Sequence, residues 1–259
     1  MSSEFSGKVA LVTGTSGIGL GAALKLAREG AEVYICGIDD AHNETAKAAG
    51  QGLSFCVAKV DVSDEAAVND WINEIGQRTG GIDILVNAAA IQTYGNIETT
   101  DADHWDKVMA INLKSCFLTS RAAYPYMKSQ CAGAILHVSS VQGSSNQNNV
   151  LAYATTKGAI HAMTRAMAVD CAKDNIRVNS LSPGAIRTPL LEFAAREAAG
   201  EGNSIEEEIR KTGAAHPIGR VGTIEETSEL IAFLVSDRSG FCTGSDYQID
   251  GGLTAHLGT

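Results

Sequence analysis

The chain has 259 residues, a formal net charge of −10 and a sequence pI near 5.0. That acidic balance, with no basic stripe anywhere, argues against a nucleic-acid backbone as partner, because such binding rests on clustered Lys and Arg. The length suffices for a sizeable core in one α/β domain spanning 1–259. The start, MSSEFSGK, has no apolar signal core, and no apolar run nears the roughly 18 to 20 residues that cross a bilayer, so a cytoplasmic protein without a membrane partner is expected.

The run KVALVTG (8–14) reads as a buried parallel strand over 8–13, which turns through TGTSGIG into an Ala/Leu-rich helix over 18–29. Glycines let a backbone approach a pyrophosphate, and open N–H groups at a helix start attract its charge, so the turn of Gly14, Ser16, Gly17, Ile18 and Gly19 suggests a dinucleotide. A tight strand-to-helix turn also favours glycine on steric grounds alone. A second strand, 32–36, runs into CGIDD (36–40). A carboxylate at that place accepts the ribose hydroxyl of NAD, whereas Arg or Lys suits the extra phosphate of NADP; Asp39 and Asp40 follow the strand and no base does, which favours NAD over NADP.

Further on, a helix over 41–49, a strand over 53–59 with Asp61 and Val62 just past it, and a helix over 64–79 lead to a strand over 82–87 within ILVNAAA (84–90). A helix over 103–128 carries Asn112 in INLKS, and a strand over 133–139 ends in HVSS at Ser140. His137 in that strand reads as a core or pocket-wall histidine rather than a catalytic one. A helix over 151–173 holds Tyr153 and Lys157, a strand over 176–182 opens RVNSLSPGAIRTP (177–189), and a helix over 224–236 precedes a last strand over 246–250. The alternation of β and α predicts seven strands in a parallel, doubly wound sheet, with ligands beyond the carboxyl ends of the strands. The insert at 190–219 breaks the pattern; it reads as two short helices around a hinge-like EAAGEGNS (197–204), either a water-excluding lid or a solvated surface excursion.

Tyr153 and Lys157 stand four apart, so one helix face presents both. A phenol with its ordinary pKa of about 10 is a poor base near neutrality, and a fixed cation beside it stabilises phenolate by roughly one to three units. With a hydroxyl such as Ser140 to hold the reacting oxygen, these groups make an alcohol–carbonyl acid/base site.

Together these motifs, closed by IDGG (249–252), resemble the short-chain dehydrogenase/reductase family over nearly the whole chain. The resemblance implies that Ser140 holds the substrate oxygen, Tyr153 is the general acid/base, Lys157 lowers its pKa and holds the nicotinamide ribose, and Asn112 anchors a water in the proton relay. It also implies that Asp61 and Val62 meet the adenine end, that Asn87 and Ala88 line the adenosine ribose, and that Pro183, Ile186 and Thr188 lie along the nicotinamide. A homotetramer built through the two long helices and the last strand is implied in the same way, although small residues in AIHAMTRAMAVDCA (159–172) would serve an internal core equally well. Two places depart from the family pattern. The glycine turn is one residue short, with only Thr15 and Ser16 between Gly14 and Gly17, and Gly21 offers compensating freedom; the family's Asn-Asn-Ala-Gly stands here as Asn87-Ala88-Ala89-Ala90.

Residues expected to border the nicotinamide, Gln92, Thr93, Gln142, Asn146, Gln147 and Asn148, are neutral hydrogen-bonding groups, which points to a sugar, polyol or related substrate unless they are simply good loop formers. An NADPH-linked reductase of a less polar ketone, and a non-catalytic dinucleotide-binding regulator, are the alternatives. The six cysteines lack any C-x-x-C pair and read as small core residues, and the six histidines show no ligand spacing, so no metal is assigned.

Overall fold

The computed structural model describes residues 3–199 and 204–257. In chain order the elements are β1 (Val9–Thr13), α1 (Gly17–Arg28), β2 (Glu32–Gly37), α2 (Asp40–Ala49), β3 (Phe55–Lys59), α3 (Glu65–Thr79), β4 (Ile84–Asn87) and α4 (Ala102–Met109), then a π-helical turn (Ala110–Lys114), α5 (Ser115–Ser129) and β5 (Gly133–Val138). There follow α6 (Leu151–Cys171), β6 (Ile176–Pro183), α7 (Pro189–Ala199), α8 (Ile205–Ala214), α9 (Ile224–Val235) and β7 (Asp246–Ile249).

The strands form one seven-stranded sheet in the order β3-β2-β1-β4-β5-β6-β7, and every pair is parallel. Strand order reverses between β1 and β4, and a ligand crevice is expected at that switch point. All five residues of β1 are buried because both faces are covered. Val9 and Leu11 pack toward α3, α5 and α6 with Trp71, Ile72, Leu118 and Met127, while Ala10 and Val12 pack toward α1 and α9 with Leu26, Ile231 and Val235. Each fully buried Leu or Ile in these layers contributes about 1.5–3 kcal/mol through removal of its surface from water.

Helix starts follow local chemistry. Asp39, Asp64 and Asp101 accept backbone N–H groups at the heads of α2, α3 and α4, and Thr223 with Glu226 forms a reciprocal capping box at α9. Two expectations need correction. The third strand begins at Phe55 rather than 53, and the helix expected over 103–128, helical throughout, widens into a π turn at Ala110–Lys114 that separates α4 from α5. The insert does contain two helices, α7 and α8, whereas the centre of the expected hinge, 200–203, lies outside the described residues. Cys56 and Cys131 are exposed, so they are not the core residues that their apolar surroundings suggest.

Candidate active site

The turn between β1 and α1 is shaped by close approach. Gly14 has φ +97°, and a Cβ there would sit 3.2 Å from Ala89 N; a Cβ on Gly19 would collide with the Gly14 carbonyl oxygen. Both positions need glycine. Gly21 serves a different purpose from the freedom expected of it: it has ordinary helical backbone, and a Cβ there would strike Ile224 of α9, so its role is helix packing. Ser16 begins α1 without a side-chain cap and the first turn holds no acid, which leaves its N–H groups open. A Cβ built on Gly17 would come within 3.3 Å of the Thr188 side chain, so the loop after β6 forms the opposite wall. Uncapped N–H groups, a backbone surface without side chains and a facing Thr188 fit a dinucleotide pyrophosphate.

The end of β2 is tight. A side chain at Gly37 would strike the Thr15 hydroxyl, and Asn43 Nδ2 donates to Gly37 O at 3.1 Å, so this position has no space for any side chain. Asp39 caps α2 by accepting from His42 N at 2.8 Å, a bond that holds its carboxyl below the usual range. Asp40 pairs with Lys59 at 2.7 Å, and Lys59 lies directly across the ladder from Gly37. A cation therefore does stand near the end of β2, supplied by a neighbouring strand where the linear reading found none. Asp61 turns onto Ser63, accepting from its N–H at 2.9 Å and its hydroxyl at 2.7 Å, with Val62 buried next to it.

Asn87 points inward. Its Oδ1 accepts from Thr119 Oγ1 at 2.7 Å and its amide lies 3.1 Å from His137 Nδ1, so it offers a cofactor only backbone, together with Ala88, whose N–H donates to Thr13 Oγ1 at 3.1 Å. Pro183 ends β6, and Ile186 is buried against Gly222.

At the carboxyl edge of the sheet, the end of β5 meets one face of α6. Ser140 Oγ accepts from Gln142 N at 3.1 Å and lies beside Tyr153. Lys157 is only 2% exposed; its Nζ donates to Val138 O at 2.8 Å and stands 5.4 Å from the centre of the Tyr153 ring. The electrostatics differ from the expectation that lysine lowers the phenol. Burial pushes the Tyr153 phenol up to about 12, with Ser140 acting in the opposite direction, and burial brings the Lys157 ammonium down to about 8. Desolvation sets the phenol because the Lys157 amine is turned onto a carbonyl rather than the phenol oxygen. His137 is fully buried and held down to about 4 by desolvation and then by Lys157, which keeps it neutral, as its reading as a wall residue supposes.

Asn112 sits in the π turn. Its Oδ1 accepts from Ile91 N at 2.9 Å and its Nδ2 donates to Ile91 O at 2.8 Å, so the side chain pins the loop after β4, and Cys116 Sγ lies 3.4 Å from its carbonyl. The loop residues diverge. Gln142 Nε2 donates to Gln147 Oε1 at 3.2 Å and Gln92 Nε2 donates to Tyr94 OH at 3.3 Å, whereas Asn146 and Asn148 are exposed. Sequence reasoning missed Tyr94, which is close enough to Tyr153 to raise its phenol and to feel Glu197 of α7; an aromatic between Gln92 and Gly95 was the available signal. It also missed the buried His161, one turn after Lys157, and the half-buried Asp246, which opens β7.

An open parallel sheet with a bare glycine turn at its switch point defines a dinucleotide-binding α/β protein. A family model described as enoyl-(acyl carrier protein) reductase matches residues 12–254, and the chain belongs to the short-chain dehydrogenase/reductase family. It is 36% identical over 259 residues to 2-(S)-hydroxypropyl-CoM dehydrogenase 3 of Xanthobacter autotrophicus, covering 98% of this chain and 100% of that one. It is 35% identical to the NADP-dependent (R)-specific alcohol dehydrogenase of Lentilactobacillus kefiri, with 98% and 100% covered. The ligand-free aldohexose dehydrogenase of Thermoplasma acidophilum superposes with a TM-score of 0.91 at 33% identity, covering 100% of this chain and 98% of that one.

Proposed function

We propose that this protein is an NAD(H)-dependent oxidoreductase that interconverts a secondary alcohol and a ketone in a polar, hydroxylated small molecule. The convergence of Ser140, Tyr153 and Lys157 beside the bare glycine turn carries the reading. Nicotinamide, when bound along Pro183, Ile186 and Thr188, supplies the hydride acceptor or donor. Ser140 holds the substrate oxygen, and Tyr153 takes the hydroxyl proton as phenolate or returns it as phenol. Lys157, fixed by Val138 O, holds the nicotinamide ribose, and Asn112 keeps the loop at Ile91 in place and leads the proton toward solvent through a water. A phenol pushed up to about 12 is the protonated form that a ketone oxygen needs, so reduction runs near neutral pH and oxidation accelerates as the solution becomes alkaline.

A polar substrate is supported by Gln142, whose Oε1 is a buried acceptor without a partner, and by the likeness to an aldohexose dehydrogenase. NAD is supported by Asp39 and Asp40 at the end of β2, two acids against the single Lys59. One observation favours a second reading, NADP-linked reduction of a less polar ketone: Lys59 needs only to leave Asp40 to meet a phosphate, and the Lentilactobacillus kefiri relative uses NADP. We also propose that copies associate through α5 and α6, whose outer faces expose Phe117 at 48% and Val169 at 79%.

The test is turnover of a sugar and polyol panel with NAD, followed by nicotinamide absorbance, in the wild type and in Tyr153→Phe. Loss of about 10²–10⁴-fold in rate with cofactor binding retained is expected. Substantial residual turnover in the variant would overturn the role of Tyr153, and activity confined to apolar ketones would overturn the polar substrate.

A further inference from the structure

The three residues that end β5 and follow it meet α6 in succession. Val138 O accepts from Lys157 Nζ at 2.8 Å, Ser139 Oγ donates to Lys157 O at 3.0 Å, and Ser140 lies against Tyr153. His161 stands one turn beyond Lys157 in the same row of α6 as Tyr153 and Lys157. Its Nε2 lies 2.8 Å from Ser139 Oγ, 3.0 Å from Ser182 Oγ and 3.4 Å from Asp246 Oδ1. All of these side chains except Asp246 are buried, and the ring presses so closely on Gly143 that a Cβ there would collide with it.

Counting protons fixes the tautomer. The Ser139 hydroxyl proton goes to Lys157 O, and the Ser180 and Ser182 hydroxyls donate to Asp246 Oδ1 at 2.7 and 2.8 Å. Both serine oxygens facing the ring are left as acceptors, so Nε2 bears the proton and donates. Serine, histidine and aspartate all gather at this one nitrogen, whereas a hydrolytic relay needs the carboxylate on the other; the group holds and does not attack.

We propose that His161 is a positioning residue: its Nε2–H fixes Ser139, and with it the adjoining Ser140 hydroxyl and the Lys157 turn, against the Asp246 carboxylate of the last strand. The proposal rests on the acid/base role given above to Tyr153. The charged groups facing the ring are Asp246 from β7 and Lys157 and Arg165 from α6; burial and the two cations keep the ring neutral against the pull of Asp246.

Three variants test it: His161→Leu, which removes the donor, His161→Gln, which restores one, and Ser139→Ala, which cuts the link. For each, the Tyr153 phenol is titrated by ultraviolet difference against the same protein carrying Tyr153→Phe, and kcat and KM are measured with NAD and a reactive alcohol. His161→Leu and Ser139→Ala are expected to titrate at least about half a pH unit higher, as a loosened Ser140 stabilises phenolate less. Their kcat falls about tenfold, and His161→Gln recovers most of the titration and of kcat. Titration and kcat unchanged in His161→Leu would overturn the proposal, as would a glutamine variant no better than leucine, because ring volume and not the donor would then matter. Absence of turnover in the wild type would remove the oxidoreductase reading, and the phenol titration would still decide the role of His161.

Discussion

Tyr153 and Lys157 were legible as a pair because a spacing of four needs only a helix to bring them together. Their charge states were not, since these depend on burial that no linear pattern displays. Lys157 gives the clearest test. Its ammonium ordinarily titrates at 10.5 and is held to about 8 in the fold, so between those values the unfolded chain keeps a proton that the native one has lost. Stability therefore rises with pH across that window, and below it the native state carries a cost on the order of a few kcal/mol for a buried ammonium. Urea unfolding at about pH 7.5 and about pH 9.5 should show this gain in the wild type and not in Lys157→Met. Gly19 is decided by sterics: Gly19→Ala drives a methyl into the Gly14 carbonyl, and loss of dinucleotide binding, read by nicotinamide fluorescence quenching, is expected with the helices intact by circular dichroism.

Among the elements, strands and most helices could be read because period and caps agree: Asp39, Asp64 and Asp101 sit where α2, α3 and α4 begin. The capping box at α9 predicts that Thr223→Ala costs about 0.5–2 kcal/mol in chemical unfolding, since it removes the acceptor for Glu226 N at 3.1 Å. The π turn between α4 and α5 could not be read. AINLK holds neither Gly nor Pro, and the extra residue is stabilised by the two bonds from Asn112 to Ile91, a contact across 21 positions. The end of β2 was misjudged for a similar reason: Lys59 reaches Asp40 from the adjacent strand, where a linear reading saw only acids.

For the whole molecule, β-α alternation sufficed to foresee the parallel sheet, because right-handed crossovers leave few other topologies. Ligand linkage gives the matching test. NAD at a hundredfold excess over its Kd should stabilise the protein by about 2.7 kcal/mol and raise Tm by roughly 5 to 10 °C, with a smaller shift from NADP at equal concentration. A larger shift from NADP would reverse the cofactor assignment. Val169→Asp should lower the mass seen by light scattering if α6 faces another copy.

The π turn makes chain length itself a component of the crevice. Deleting one residue from Ala110–Lys114 would let α4 and α5 fuse into a continuous, locally more comfortable helix, yet every side chain beyond the cut would swing by about 100° about its axis. Asn112 would release Ile91 and Cys116 would leave the neighbourhood of Lys157, so an apparently conservative shortening would cost more than many substitutions. Segments of this kind tolerate exchange of letters far better than a change in their number.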